Sequence, residues 1–277
     1  MIQSLREVIA HWELVRMFMV RDLIVRYRGS VLGVLWSLAT PLVQMVVMTI
    51  VFRYFFPLNE PNYSFKLLSG LLAWSYFRDT TLNSCSCIIE ARDVIKKIYF
   101  PRAVVPISVV FGNGVHFLIA MVMMLVIFAA RPVALTPSYL FLPVLVLVQT
   151  VLLLGVAMLV ACAHTFYRDV KYIVDAGLQV AFYLTPIIYP VEFAHDGLVR
   201  AVSRFLPPGY DYLAPWLFRL YMLNPMATLG TAYRQVLLRN ELPDMQFFLP
   251  IVALSLIVFV LGYRTFVKHS WKFPEIL

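Results

Sequence analysis

Arg78 and Asp79 sit side by side inside an otherwise apolar stretch, between LLSGLLAWSYF (67–77) and TLNSCSCII (81–89). Ionisable groups in such surroundings are costly and normally face a bundle interior, an aqueous path or one another. Sequence neighbours do not share a helix face, so each is expected to find a different partner. A functional role and a structural pair near a lumen are equally compatible with this placement. Asp175, the one acidic residue of a second apolar run, reads as structural. Cys85, Cys87 and Cys162 make an odd count that suggests no disulfide framework, and Cys-x-Cys without nearby partners is no zinc site. They read as small apolar residues in helices. The five histidines are scattered, so neither a metal nor a hydrolytic centre is expected. No G-x-x-x-x-G-K-[ST] phosphate loop occurs, so the chain is not expected to bind ATP that way.

The elements that must position these groups follow from composition. Hydrophobic residues make up 61% of the 277 and charged residues 14%, against about 45–50% and about 25% in ordinary soluble domains. The apolar residues fall in long runs, which is the pattern of an all-α integral membrane protein. The net charge of +8 is spread between the runs, where it orients spans. It does not form the stacked basic patch that nucleic acid would require. The first ~30 residues lack the apolar core of a cleavable signal peptide, and the two halves show no inverted repeat.

Six spans are predicted. Span 1 covers 31–52, with Pro41 and Gln44 inside it, and the proline predicts a kink. Span 2, from Leu67 to Ile89, has the shortest clean apolar part. Span 3 runs from Ala103 to Ala130 with His116 inside, span 4 lies within 138–163, span 5 covers 172–190 and span 6 covers 246–263. Between spans 5 and 6, short helices are predicted at 195–206, 212–223 and 225–239. Pro207-Pro208-Gly209 separates the first two, and Asn224-Pro225 opens the third as N-cap followed by proline. The chain thus divides into a cytoplasmic interface region (1–30), spans 1–5 (31–190), outer-side helices (191–245), span 6 (246–265) and a cytoplasmic tail (266–277). Lys and Arg crowd the N-terminal segment, the 2–3 loop, the 4–5 loop and the tail, which places both termini in the cytoplasm. The arginines of the 5–6 segment blur this rule.

Two amphipathic segments stand outside the spans. In 4–22, Leu5, Val8, Ile9, Trp12, Val15 and Met19 share one helical face, as in an interfacial helix. Either a lever against a cytoplasmic partner or a plain membrane anchor fits. In the 2–3 loop, charges alternate with Val94, Ile95, Ile98 and Phe100 up to Pro101, so a short amphipathic helix is expected to pack on membrane or on a soluble subunit. Aromatic residues, including Trp36, Phe52, Tyr54, Phe55, Tyr76, Phe77, Tyr183, Tyr189, Tyr210, Tyr212 and Trp216, gather toward the outer half. An interfacial belt explains such a cluster by default, and a subset lining a lumen could stack on sugar rings.

Taken in order, several of these segments resemble the ABC-2-type transport permeases. The run Arg26-Tyr-Arg-Gly-Ser-Val-Leu-Gly-Val-Leu-Trp36 with Pro41-Leu-Val-Gln-Met45 is similar to their approach to span 1, and Gly70-Leu-Leu-Ala-Trp74 to the start of span 2. Ile95-Lys-Lys-Ile-Tyr-Phe-Pro-Arg102 looks like their 2–3 loop. Thr185-Pro-Ile-Ile-Tyr-Pro190 and Asn224-Pro225 match the end of span 5 and the element before span 6. The branch resembled most is the exporters of O-antigen, capsule and teichoic acid. The resemblance implies a homodimer in the cytoplasmic (inner) membrane of a bacterium, bound to two ATPase subunits that hold ATP and magnesium. The substrate implied is a glycan on undecaprenyl pyrophosphate. Glu90, Arg92, Asp93, Ile95, Lys96, Lys97 and Tyr99 would form the coupling helix, and Trp12 and Arg16 would lie on the interface helix. Arg26 and Arg28 would attract the pyrophosphate. Trp36, Tyr54, Phe55, Arg78, Tyr183 and Tyr189 would contact glycan, although Arg78 departs from the small or polar residues expected there. A small-molecule or lipid exporter of the same family and an ATP-independent carrier are the rival expectations.

Overall fold

The computed structural model describes residues 10–30, 33–52, 62–98, 100–129, 137–205, 210 and 212–277, and no strand occurs among them. The predicted residues 4–9, Tyr54, Phe55 and Tyr99, and the side chain of Arg26, lie outside what is described. Twelve α-helices follow one another among the described residues: α1 (Trp12–Tyr27), α2 (Trp36–Ile50), α3 (Tyr63–Glu90), α4 (Arg92–Lys97), α5 (Val104–Ala129), α6 (Leu142–Phe166), α7 (Val170–Leu184), α8 (Val191–Phe205), α9 (Leu213–Met222), α10 (Pro225–Arg234), α11 (Met245–Ser270) and α12 (Phe273–Ile276). A π-helical turn, Gln235–Arg239, prolongs α10.

Among the described residues, three stretches are long and apolar enough to cross a membrane, Val104–Phe128, Pro137–Phe166 and Met245–Ser270. Their exposed side chains, such as Leu118, Val122, Leu147, Leu249 and Leu256, are those a lipid phase would bathe. The protein is a multi-pass membrane protein. The less apolar α3 is one uninterrupted helix of 28 residues, about 42 Å at 1.5 Å per residue. It tolerates polar residues because it is the central strut. Leu67, Leu68, Leu71, Leu72 and Trp74 are buried, and the small Ser69, Gly70, Ala73, Thr80, Ser84, Cys85 and Cys87 let neighbouring helices close in. All three cysteines are buried free thiols, as packing residues should be. Tyr76, expected in an aromatic belt, is instead buried, stacked on Phe117 with centroids 4.9 Å apart.

The predicted span 5 is shorter than its apolar run. α7 has 15 residues and stops at Leu184 because Thr185 precedes Pro186 and adopts extended geometry, ψ 139°. The chain then turns through 185–190. The helices expected after it form as α8, α9 and α10, and the Asn224 side chain caps α10 by accepting from the Met226 N–H at 3.0 Å.

The two ends of the bundle are chemically distinct. At one end α1, α4 and α12 share an apolar cluster of Val15, Phe18, Ile95, Phe100, Phe266 and Phe273. At the other, Tyr63 donates to the Ile188 carbonyl at 2.9 Å, Tyr139 donates to the Leu237 carbonyl at 3.0 Å and Phe141 meets Phe248. Between the ends lies a buried polar relay. Gln149 donates to the Ala73 carbonyl at 2.8 Å and accepts from the Tyr233 hydroxyl at 3.0 Å, tying α6 to α3 and α10. Gln149→Leu orphans the Tyr233 hydroxyl and is expected to cost roughly 1–3 kcal/mol. Adding Tyr233→Phe should recover most of that loss, and melting of the single and double variants in detergent checks it. A double variant no more stable than the single would refute the relay.

Candidate functional site

A cleft of about 630 Å³ opens between α2, α3, α5 and α7. One wall is aromatic: Trp36 from α2, Trp74 and Tyr76 from α3, Phe117 from α5, Phe182 and Tyr183 from α7. Trp74 packs 5.7 Å from Phe182, and Phe182 meets Tyr183 edge-on at 5.4 Å. Interspersed are Thr40, Gln44, Ser75, Asn113, His116 and Gln179, with Arg78 and Asp79 on its rim. Isolated polar residues in apolar runs face a bundle interior, and that signal would have pointed to Gln44, Asn113, His116 and Gln179 together. His116 and Gln44 were visible in their spans, yet periodicity alone did not bring them to one place.

The charges beside this cleft are linked to one another. Arg78 reaches both neighbours, Asp79 at 3.5 Å and Asp175 of α7 at 3.5 Å, all three about half exposed. A long guanidinium stem bridges the angle between adjacent positions and so reaches Asp79 as well. The Asp175 Oδ1 is buried without a well-formed hydrogen bond, so its link to Arg78 is a charge contact, while its Oδ2 accepts from Gln179 at 3.5 Å. The triad ties α3 to α7 beside the cleft.

Of the six residues expected to contact glycan, Trp36, Arg78 and Tyr183 line this cleft. Tyr189 lies just past α7, donating to the Tyr183 carbonyl at 3.2 Å and sharing a hydrogen bond with the Tyr221 hydroxyl at 3.3 Å. Two other expected elements meet here. The Asn224 side chain donates to the Thr185 hydroxyl at 3.0 Å, joining the Thr-Pro turn to the Asn-Pro cap. Arg234, one of the arginines of the 5–6 segment, donates to the carbonyls of Lys66 (3.1 Å), Tyr189 (3.3 Å) and Ile187. It clamps the 185–190 turn onto α3. Beside it Arg239 holds Glu192 of α8 at 2.7 Å. Burial alone would raise the Glu192 carboxyl, but its own backbone N–H, Arg239 and Lys66 outweigh burial and hold it below the ordinary carboxylate value. The pair therefore strengthens above the unfolded carboxylate range and is lost as pH falls through the lowered value.

At the opposite end, Trp12 meets Phe111 edge-on at 5.4 Å and the exposed Arg16 lies 4.0 Å from Glu13. The buried side of α1 is Val15 and Phe18. Arg28 is exposed just after the helix. On α4 and its flanks, Glu90, Arg92, Asp93, Lys96 and Lys97 are exposed. The apolar residues there were expected to await an outside partner. Ile95 and Phe100 are instead buried by the chain's own α1 and α12, and Ile98 stays 60% exposed. Among the described residues, no group of three or more His, Cys, Asp or Glu could hold a metal ion.

Residues 13–211 match the family model of the ABC-2 type transporter. The chain is similar to the O-antigen export system permease protein RfbA of Myxococcus xanthus, 30% identical over 275 residues that cover 99% of both chains. It is also similar to two O-antigen export system permease proteins of Klebsiella pneumoniae. Each is 28% identical, over 261 and 258 residues, covering 93% of this chain and 92% of theirs.

Proposed function

The chain belongs to the ABC-2 type transporter family, and on that premise we propose that it is the membrane subunit of an exporter that carries polysaccharide across the cytoplasmic membrane of a bacterium. The observation that carries the reading is the cleft between α2, α3, α5 and α7. Its aromatic faces suit the apolar faces of sugar rings, and its amide, hydroxyl and charged groups suit sugar hydroxyls. No single group grips strongly, which favours passage of a polymer over tight binding.

The finer parts of the reading rest on placement. Besides the three apolar spans, α2, α3 and α7 complete six crossings, with both termini in the cytoplasm beside α4. The cleft is half of a path, closed by a second copy of the chain. The exposed Val43, Val47 and Ile50 of α2 and the exposed Ile173, Val180 and Leu184 of α7 flank it and supply the seam. Energy comes from ATP hydrolysed with magnesium on a separate ATPase subunit that docks at α1 and α4, and the chain itself is no enzyme. The cargo is a glycan on a polyprenyl pyrophosphate, drawn in by Arg26 and Arg28 and passed along Trp36, Arg78 and Tyr183. The helices α8–α10 form the outer gate.

Reconstitution in vesicles with the partner ATPase and a lipid-linked glycan tests this. Movement should require both ATP and the ATPase. Tyr183→Ala with Trp36→Ala should lower it about tenfold at unchanged ATPase binding, a loss of about 1.4 kcal/mol in the rate-limiting step. Glycan movement without the ATPase would instead mark a carrier, and movement of small amphiphiles but not of glycan would mark a small-molecule or lipid exporter.

A further inference from the structure

We propose that the C-terminal segment 270–277 is a brace that sets the position of α4, and so governs how the ATPase couples to the membrane helices. This rests on the reading that α4 docks a cytoplasmic ATPase. The helix α4 has only six residues, too few to hold its place by its own hydrogen bonds. Its position must come from packing, and Ile95 is its one buried side chain. That side chain lies in a cluster completed by Phe273, which is wholly buried on α12. Phe273 is itself fixed by the ends of two long helices: its ring lies 5.3 Å from Phe266 of α11 and 6.1 Å from Phe166 of α6, both edge-on. Arg102, at the other flank of the loop, donates to the Ser270 carbonyl. The 2–3 loop is thus fastened on both sides of Ile98 to the last turns of the chain, and through them to α6 and α11. The same cluster takes in Val15 and Phe18 of α1, so all three surface elements at this end share one apolar base.

With its inner residues buried, α4 turns Lys96, Lys97 and the 60% exposed Ile98 outward. That surface fits a groove with an apolar floor and an acidic rim on the ATPase. A displacement of α4 pushes on Phe273 and reaches α6 and α11 directly, without passing along α3. Phe273 is accordingly a positioning residue.

The test uses the whole permease with its ATPase in vesicles carrying lipid-linked glycan. Phe273→Ala, Phe273→Leu and a chain ending at Ser270 are compared with the wild type. Melting of the permease alone, ATPase co-purification, ATP hydrolysis and glycan moved per ATP are read. Melting of the permease should fall measurably for Phe273→Ala, which truncates a buried ring, and shift little for Phe273→Leu. ATPase retained, or glycan moved per ATP at saturating ATPase, should fall at least fivefold for Phe273→Ala and for the shortened chain, and Phe273→Leu should restore most of it. Variants that no longer purify as folded protein, Phe273→Leu included, would show a general fold element and overturn the proposal, as would variants that retain full assembly and full coupling. A wild-type chain that recruits no ATPase would sink the docking reading and this proposal with it.

Discussion

Gly262→Leu is expected to remove folded protein from detergent extracts while Leu256→Ala, six residues earlier on the same helix, leaves its yield unchanged. The reason is the contact between α6 and α11, where two glycines let the backbones touch. A Cβ on Gly155 would lie 2.5 Å from the backbone of Val258 and Phe259, and one on Gly262 would run into the Gly155 carbonyl. Neither obstacle is the flexible end of a side chain that could swing aside. In lipid the helices gain nothing from hiding apolar surface, because the tails are equally apolar, so association depends on close packing and on hydrogen bonds. Forcing this crossing apart forfeits dispersion contacts along both helices. The cost should exceed the usual ~1–3 kcal/mol of over-packing, against a total stability of order 5–15 kcal/mol. Gly155→Ala should show a smaller loss of the same kind. Leu256 is 52% exposed toward lipid, where substitutions typically change stability by about ±0.5 kcal/mol. Elution as a sharp peak on size exclusion, and the melting midpoint, measure both. A Gly262→Leu protein that melts like the wild type would mean that α6 and α11 do not meet there.

How far the sequence foretold this architecture depends on what kind of interaction places each element. Apolar run length found α5, α6 and α11, and local chemistry found Asn224 as the cap of α10. The end of α7 was legible too, since Thr185-Pro186 is a helix stop, but run length through 172–190 masked it. Direction was harder. The helix α3 is buried on nearly all sides, so it has no apolar stripe to read, and Tyr76 could be assigned to a lipid-facing belt when it points inward. On α1 the apolar face was drawn through Met19, whereas the second buried anchor is Phe18. Ile95 and Phe273 share one buried cluster although they are 178 residues apart, an association that no local period contains. Of the apolar residues expected on one face of the 2–3 loop, Ile95 and Phe100 are buried while Ile98 stays exposed.

Arg234 makes the largest contact of this non-local kind, and its removal is the second strong expectation. Its partners are backbone carbonyls, which every residue carries, so nothing in their side chains announces the clamp. Arg234→Ala leaves the Ile187 and Tyr189 carbonyls without their charged donor, while Lys66 keeps the Ser69 hydroxyl at 2.9 Å. At about 1–3 kcal/mol for each of the two orphaned groups, a loss of roughly 2–6 kcal/mol is expected. Arg234→Lys separates stability from geometry. The ammonium keeps the charge but lacks the planar fork that meets several acceptors at once, so it should regain part of the melting midpoint and leave the 185–190 turn loosely held. That turn carries Tyr189 and follows Phe182 and Tyr183 on α7, so the lysine variant should insert normally yet move glycan about tenfold more slowly. Gly70 supplies a reciprocal probe, since a Cβ there would lie 3.0 Å from the Arg234 Nη2 and crowd the guanidinium. Gly70→Val should therefore mimic Arg234→Lys, and the pair combined should lose less than the sum of the two. Full additivity would separate the glycine from the clamp, and an Arg234→Ala protein as stable as the wild type would remove the clamp from the fold altogether.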